Sequence, residues 1–290
     1  MTGRVGPAAT LALFVVYLVW GTTYYAMRVA LHGYPPFFLC AIRFLLAGGL
    51  LFAYALATGP IQLNRRLLLD ALVTGLLLVT LGNGLVVVAE QRVSSGIAAL
   101  AVSIESVFIL LLAFFLYGRR IRRWQFAGIL LCFTGVVILS AGTELRYAPM
   151  ALAALLAAAL GWAIGSIWSA RPACSGNTLT LVALQMLMGG AIALAVACLS
   201  KERLTFNSSV GANLAVLYLA LFGSIAAFVS YNYLVRRVST SLSTSYAYVN
   251  PAVAFVAGCV FDNDAFRFST ALSLAGILAG VWFIVQHEVR

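Results

Sequence analysis

SGIAALAVSIESVFILLLAFFLYGRRIRRW, residues 95–124, decides the fold. Residues 95–116 form one apolar run with a single carboxylate, Glu105, near its middle, and Arg119, Arg120, Arg122 and Arg123 follow directly. An α-helix needs roughly 17–25 apolar residues to cross the hydrocarbon of a bilayer. A cluster of cations past one end of such a run marks the cytoplasmic side. This stretch therefore predicts a membrane-spanning helix with a defined direction.

Nine further runs of similar length fill the chain, at 8–30, 35–57, 67–88, 124–141, 148–170, 178–199, 212–235, 240–261 and 269–285. They are continuous, whereas the strands of a membrane β-barrel alternate apolar and polar residues over ~10 positions. Helices satisfy every backbone hydrogen bond internally, so the fold class expected is an all-α integral membrane protein of ten transmembrane helices. Composition excludes a soluble protein: 63% of the 290 residues are hydrophobic and only 9% charged, and mean hydropathy is +1.03. The N-terminal run is long enough to span, so it reads as an uncleaved first helix rather than a signal peptide.

The net charge of +10 does not point to nucleic acid, because the arginines sit at the ends of apolar runs rather than on a water-facing patch. Outside the runs, Arg4, Arg65, Arg66, Arg119, Arg120, Arg122, Arg123, Arg171, Arg236, Arg237 and Arg290 fall on one side; Arg92, Arg146, Lys201, Arg203 and Arg267 fall on the other. The excess of cations places the first side, and with it both termini, in the cytoplasm. Cys40, Cys132, Cys174, Cys198 and Cys259 have no C-x-x-C spacing, and His32 and His287 lie at run ends. Neither metal nor cofactor is expected.

Arg92-Val-Ser-Ser-Gly-Ile-Ala-Ala-Leu100, entering span four, resembles Arg237-Val-Ser-Thr-Ser-Leu-Ser-Thr-Ser245, entering span nine, 145 residues later. Ala127-Gly-Ile-Leu130 is echoed by Ala275-Gly-Ile-Leu278, and Trp20 by Trp162. These matches divide the chain into units 1–145 and 146–290. Five spans per unit is odd, so the second unit enters from the opposite side and the repeats are inverted. Such repeats hold a substrate site near the midplane and rock around it.

Polar residues inside spans mark that site, since lipid penalises them by ~2.5–3.5 kcal/mol at a helix centre. Glu105 and Asn250 are equivalent under the 145-residue offset. Ser239, Ser243, Tyr246 and Asn250 share one face of span nine, with Pro251 disrupting the backbone just beyond. The matching face of span four is Ser94, Ala98, Ala101 and Glu105. Both faces are expected to line a central cavity. Trp20 and Tyr24 share a face of span one with Arg28, and these aromatics, like Trp162, either stack on a ligand or pack. Asn83 and Ser224 occupy equivalent spans and suit hydrogen bonds between helices. Glu90 reads as a solvated carboxylate at a span end, and Gly276-x-x-x-Gly280 as a surface for dimerisation or internal packing.

Trp20-Gly-Thr-Thr-Tyr24, Gly82-Asn-Gly-Leu-Val-Val-Val-Ala-Glu90, Ser95-Gly-Ile-Ala-Ala99 and Tyr246-Ala-Tyr-Val-Asn-Pro251 resemble the EamA branch of the drug/metabolite transporter superfamily, nearest its bacterial inner-membrane YedA-type members. The resemblance covers nearly the whole chain. It implies two inverted five-helix repeats, a cavity lined chiefly by helices one, three, four, six, eight and nine, and export of amino acids or other small metabolites. Relatives often carry a proline where this chain has Ser106, and a Gly-Glu pair where it has Gly118-Arg119 and Phe261-Asp262-Asn263-Asp264.

The expected substrate-binding residues are thus Trp20, Tyr24, Asn83, Glu105, Trp162, Ser243, Tyr246 and Asn250. Glu105 is the coupling residue, binding a proton or a substrate ammonium; a static pair with Arg28 or Arg43 is the competing account. The expected partners are a small metabolite, the lipid bilayer and protons, in a monomer or weak homodimer. A facilitative uniporter and a drug-efflux protein of the same fold stay open. A lipid-modifying membrane enzyme would need a nucleophile with its base or a metal-bound water, and no HExxH motif, interior histidine or paired-carboxylate motif is present.

Overall fold

The computed structural model describes residues 6–118, 120–171, 178–203, 209–238, 240–261 and 268–286. Among the described residues, eight helices are long and apolar enough to cross a membrane: α1 (Pro7–Leu31), α2 (Pro36–Thr58), α3 (Arg65–Glu90), α4 (Ser95–Tyr117), α5 (Arg123–Gly142), α6 (Pro149–Ser169), α7 (Thr178–Leu199) and α8 (Val210–Arg237). Two shorter apolar helices complete the ten, α9 (Tyr246–Phe261) and α10 (Phe268–Gln286). Proline at the first helical position opens α1, α2 and α6, where its missing N–H costs no hydrogen bond. Asn64 caps α3 through the Leu67 N–H, and Ser209 caps α8 through the Ala212 N–H. Those two caps are 145 residues apart, like Arg92 and Arg237.

The packing repeats as the sequence does. The most extensive contacts join α2 to α7 and α5 to α10. Helix α3 packs on α6 and α7 while α8 packs on α1 and α2, and α4 packs on α6 and α9 while α9 packs on α1 and α4. Exchanging each helix with the one five places later maps this contact pattern onto itself. Short connections alternate the direction of successive helices, so each helix runs opposite to its counterpart. The fold is therefore two inverted five-helix repeats around a pseudo-two-fold axis.

Glycines set the distance at that axis. In lipid, helices gain no hydrophobic driving force from each other, and close van der Waals approach through small residues takes its place. A Cβ on Gly48 would lie 2.9 Å from the Leu187 backbone N, and one on Gly190 would lie 3.0 Å from the Leu45 N, so α2 and α7 cross reciprocally. Between α5 and α10, a Cβ on Gly280 would lie 2.6 Å from both the Gly128 carbonyl and Cys132 Sγ. The Gly276-x-x-x-Gly280 motif is consequently spent on internal packing. Outward-facing positions are apolar, among them Phe14, Tyr54, Phe115, Val137 and Val260. Of the cysteines, Cys40 and Cys132 are buried and Cys198 is exposed, while Cys174 lies outside the described residues.

The structure corrects three expectations. Span nine is not one helix over 240–261: a turn at Thr244–Ser245 separates a short helical segment, Thr240–Ser243, from α9. The interruption lies upstream of Pro251, which sits inside α9. Span four is broken too, at Ser103–Ile104. Glu90 is buried rather than solvated.

Gly280→Ala should lower the apparent melting temperature of the detergent-purified protein, because the added Cβ meets backbone and a helix-borne sulfur that cannot yield. Overpacking of this kind costs about 1–3 kcal/mol. Gly49→Ala, with open space around its Cβ, should leave the melting temperature unchanged or raise it. Equal melting curves for the two variants would refute the crossing as the limiting contact.

Candidate functional site

Irregular backbone is concentrated where the helices meet at the centre. In α4 the regular ladder gives way to three-residue bonds, Ser103 N–H to Leu100 O at 3.3 Å and Ser106 N–H to Ser103 O at 3.3 Å, and Ser103 Oγ donates to Ala99 O at 3.0 Å. Glu105 therefore stands at the start of a new helical segment, Glu105–Tyr117. In α9 the corresponding turn is closed by Ser245 Oγ, which donates to Leu242 O at 2.6 Å and lies within hydrogen-bond distance of Tyr17 Oη. Tyr246 begins the helix that follows. Widened π-helical turns occupy Val16–Trp20 of α1, Gly75–Asn83 of α3 and Leu219–Ala226 of α8. Such turns are common at functional sites, and those of α3 and α8 fall at equivalent positions of the two repeats.

A cavity lies between α1, α3, α4, α6 and α9. Of the eight expected binding residues, Trp20, Tyr24, Asn83, Glu105, Trp162, Tyr246 and Asn250 line it. Ser243 does not; it is buried N-terminal to the turn that breaks span nine, so it no longer shares a helical face with Tyr246. Ser239 lies outside the described residues. On α4 the lining residues are Ala99, Val102, Ser103 and Glu105, not Ser94, Ala98 and Ala101, because the break turns the helix relative to a continuous one. Helix α8 contributes no lining residue. Its Phe228 and Tyr231 stand behind the wall.

Trp20 and Trp162 meet edge to face, with centroids 5.3 Å apart and planes at 85°. Around Trp20 are Phe228 at 5.5 Å, Tyr231 at 5.2 Å and Tyr246 at 5.2 Å. Edge-to-face contacts place positive ring edges on negative faces and fix the rings firmly. Among the same residues, Trp162 Nε1 donates to Tyr246 Oη at 2.9 Å, and both line the cavity together with Glu105. Trp20 Nε1 instead donates to the Gly223 carbonyl at 3.1 Å. The Trp pair is thus symmetric in position and asymmetric in bonding.

Asn83 accepts from Arg43 Nη1 at 3.4 Å and donates to Leu78 O at 2.8 Å, so both ends of its amide are engaged. Arg43 also donates to Ser224 Oγ at 2.8 Å, tying together the two equivalent polar residues that the sequence suggested as bridges. Among the described residues the Glu105–Arg43 pair is not formed: Glu105 lines the cavity, and Arg43 is bonded to neutral acceptors. Arg28 donates to Val93 O. Among the lining residues, Asn250 Oδ1 is buried with no hydrogen-bond partner. Sequence reasoning did not reach Tyr231, Phe228, Thr23 or Met27. The last two sit three residues from Trp20 and Tyr24 on α1, a spacing that could have placed them.

Glu105 and Asn250 are two acceptor-bearing residues of a wall that also carries Thr23, Asn83 and Ser103 among its aromatic and aliphatic groups. Such a wall suits a small ligand that donates hydrogen bonds and buries apolar surface.

The EamA-like transporter family matches the chain twice, over residues 7–141 and 149–286. The uncharacterized inner membrane transporter YedA of Escherichia coli strain K12 is 40% identical over 93% of this chain and 88% of its own length. A protein of Streptantibioticus cattleyicolor named as a probable terminal-alkyne amino-acid exporter is 28% identical over 93% of this chain and 92% of its own. A solved crystal structure superposes with a TM-score of 0.69 at 25% identity, over 95% of both chains. With one match per five-helix repeat and a relative at 40% identity along nearly its full length, the chain belongs to the EamA-like transporter family.

Proposed function

We propose that the protein is a secondary transporter that exports small amine-bearing metabolites, amino acids among them, across a bacterial inner membrane by alternating access. The observation that carries this reading is the pairing of Glu105 with the unpartnered Asn250 Oδ1 on one cavity wall. Both are acceptors, and a substrate ammonium supplies three donors. Rigid faces of Trp20, Trp162, Tyr24 and Tyr246 surround them, favourable to a cation and to the apolar body behind it. The name of the Streptantibioticus cattleyicolor relative supports amino acids as cargo and export as direction.

Glu105 takes either a proton or the ammonium, and this exclusion couples substrate movement to the proton gradient. The units 1–145 and 146–290 rock about the cavity and open it to each side in turn. Glu105 and Tyr246 each begin a helical segment at a break, so a small rigid-body shift of either half changes the site's geometry without unwinding a long helix. One chain encloses the cavity, so a monomer suffices for transport. The arginine-rich side, with both termini, faces the cytoplasm.

Glu105→Gln keeps the shape of the side chain and removes its titration. In proteoliposomes it should abolish the response of transport to a pH gradient while amino-acid counterflow continues at reduced rate. An unchanged gradient response in a folded Glu105→Gln protein overturns the coupling role. Asn250→Ala should weaken amino-acid binding roughly tenfold, the loss expected for one hydrogen bond to a charged group; isothermal titration reads this directly. For sidedness, reporters that fluoresce only in the cytoplasm should be active when fused to either terminus, and silence of both would reverse the orientation.

A further inference from the structure

Arg43 lies on α2, 2% exposed, in a molecule whose solvent penalises a buried cation heavily. Among the described residues its hydrogen-bond acceptors are all neutral: Ser224 Oγ at 2.8 Å, the Gly223 carbonyl at 3.1 Å, Asn83 Oδ1 at 3.4 Å and Met27 Sδ at 3.6 Å. The Phe44 ring lies 4.6 Å from its Cζ. Glu90 is near enough for its charge to be felt at Arg43.

The guanidinium is held unevenly. Its Nε and Nη2 make short bonds to the π-helical turn of α8, whereas Nη1 makes only the two long contacts, to Asn83 and Met27. Those two residues line the cavity. The fold's symmetry does not require a cation here. The reciprocal crossing pairs Leu45 with Leu187 and Gly48 with Gly190, which puts neutral Gln185 at the position equivalent to Arg43.

We propose that Arg43 is a specificity-determining residue that selects substrates carrying an anionic group, a carboxylate, in addition to the amine. This rests on the amine-binding reading of the cavity. A carboxylate seated against Asn83 and Met27 meets the loosely held Nη1 corner, where it exchanges long contacts with neutral acceptors for a short charge-assisted one. In this low-dielectric setting the charge acts strongly even where direct contact is partial. The cavity then has two poles, acceptors at Glu105 and Asn250 and a cation behind Asn83.

Matched ligands separate the poles. Isothermal titration of the detergent-purified full chain would compare L-leucine with 3-methylbutylamine, which lacks the carboxylate, and with 4-methylpentanoate, which lacks the amine. L-phenylalanine, 2-phenylethylamine and 3-phenylpropanoate form a second set. The wild-type protein should bind the amino acid at least tenfold more tightly than its amine. Arg43→Gln should cut that ratio to about threefold or less, and Arg43→Lys should keep most of it. Asn83→Asp, which supplies Nη1 with an internal carboxylate, should likewise cut the ratio of amino-acid to amine affinity to about threefold or less; it decides the matter if Arg43→Gln does not fold. Equal wild-type affinity for amine and amino acid, or an undiminished ratio in folded Arg43→Gln or Asn83→Asp, overturns the role of Arg43 and leaves the amine reading standing. Binding of no member of either set, or binding of the carboxylate as tight as that of the amino acid, overturns the amine reading itself.

Discussion

Hydrocarbon offers no hydrogen bonds, and this one constraint orders the rest of the structure. Ladders left open by broken or widened helices must be closed by side chains, so irregular backbone can exist only where other helices surround it. The breaks at Ser103–Ile104 and Thr244–Ser245 are closed by Ser103 and Ser245, and the π-helical turn of α8 is met by Trp20 and Arg43. All of this lies inward. The outer surfaces of α1, α2, α4, α5 and α9 carry Phe14, Leu50, Phe115, Val137 and Val260, which need no hydrogen bond from their neighbours. The cavity is the space left where α1, α3, α4 and α9 deviate or begin against the unbroken α6.

Two repeats built on one plan would by themselves give a symmetric cavity, and a symmetric cavity would bind a symmetric ligand. The scaffold keeps the symmetry: reciprocal glycine crossings, matched caps at Asn64 and Ser209, matched π-helical turns. The polar groups abandon it. Glu105 faces Asn250 instead of a second carboxylate, Arg43 corresponds to Gln185, and the two central tryptophans choose different acceptors. Packing thus preserves the pairing of helices, while the polar groups at and near the cavity differ between the repeats.

The helical count, the repeat and most of the cavity wall were legible in the sequence because each depends on a property visible one residue at a time. Apolar runs report solvent, arginines report helix ends, and a polar residue in mid-run reports a neighbour other than lipid. Glu105, Asn250, Trp20 and Trp162 were found on those grounds, and the structure brings all four to one cavity. What failed depended on helical phase. The sequence treats span nine as continuous, which puts Ser243 on the Asn250 face. The turn at Thr244–Ser245 resets the phase and removes Ser243 from the wall. Span four shows the same effect, where Ala98 and Ala101 yield to Ala99 and Val102. Proline was the wrong marker for the break, since Pro251 continues α9 and the interruption comes from the Thr-Ser segment before it. Serines that can bond their own preceding turn, such as Ser103 and Ser245, were the better signal.

Arg43 shows why a charge buried in a membrane protein cannot be explained by its nearest opposite charge in sequence patterns alone. The simplest account pairs it with Glu105, which would neutralise both and leave the cavity without a charged pole. The structure separates them: Glu105 lines the cavity, while Ser224, Gly223 and Asn83 hold the guanidinium. Stability alone would favour the pair, or an apolar residue in place of each. Holding a guanidinium and a carboxyl apart in one small core is costly in lipid, a cost that the proposed ligand, with an amine for one and a carboxylate for the other, would offset.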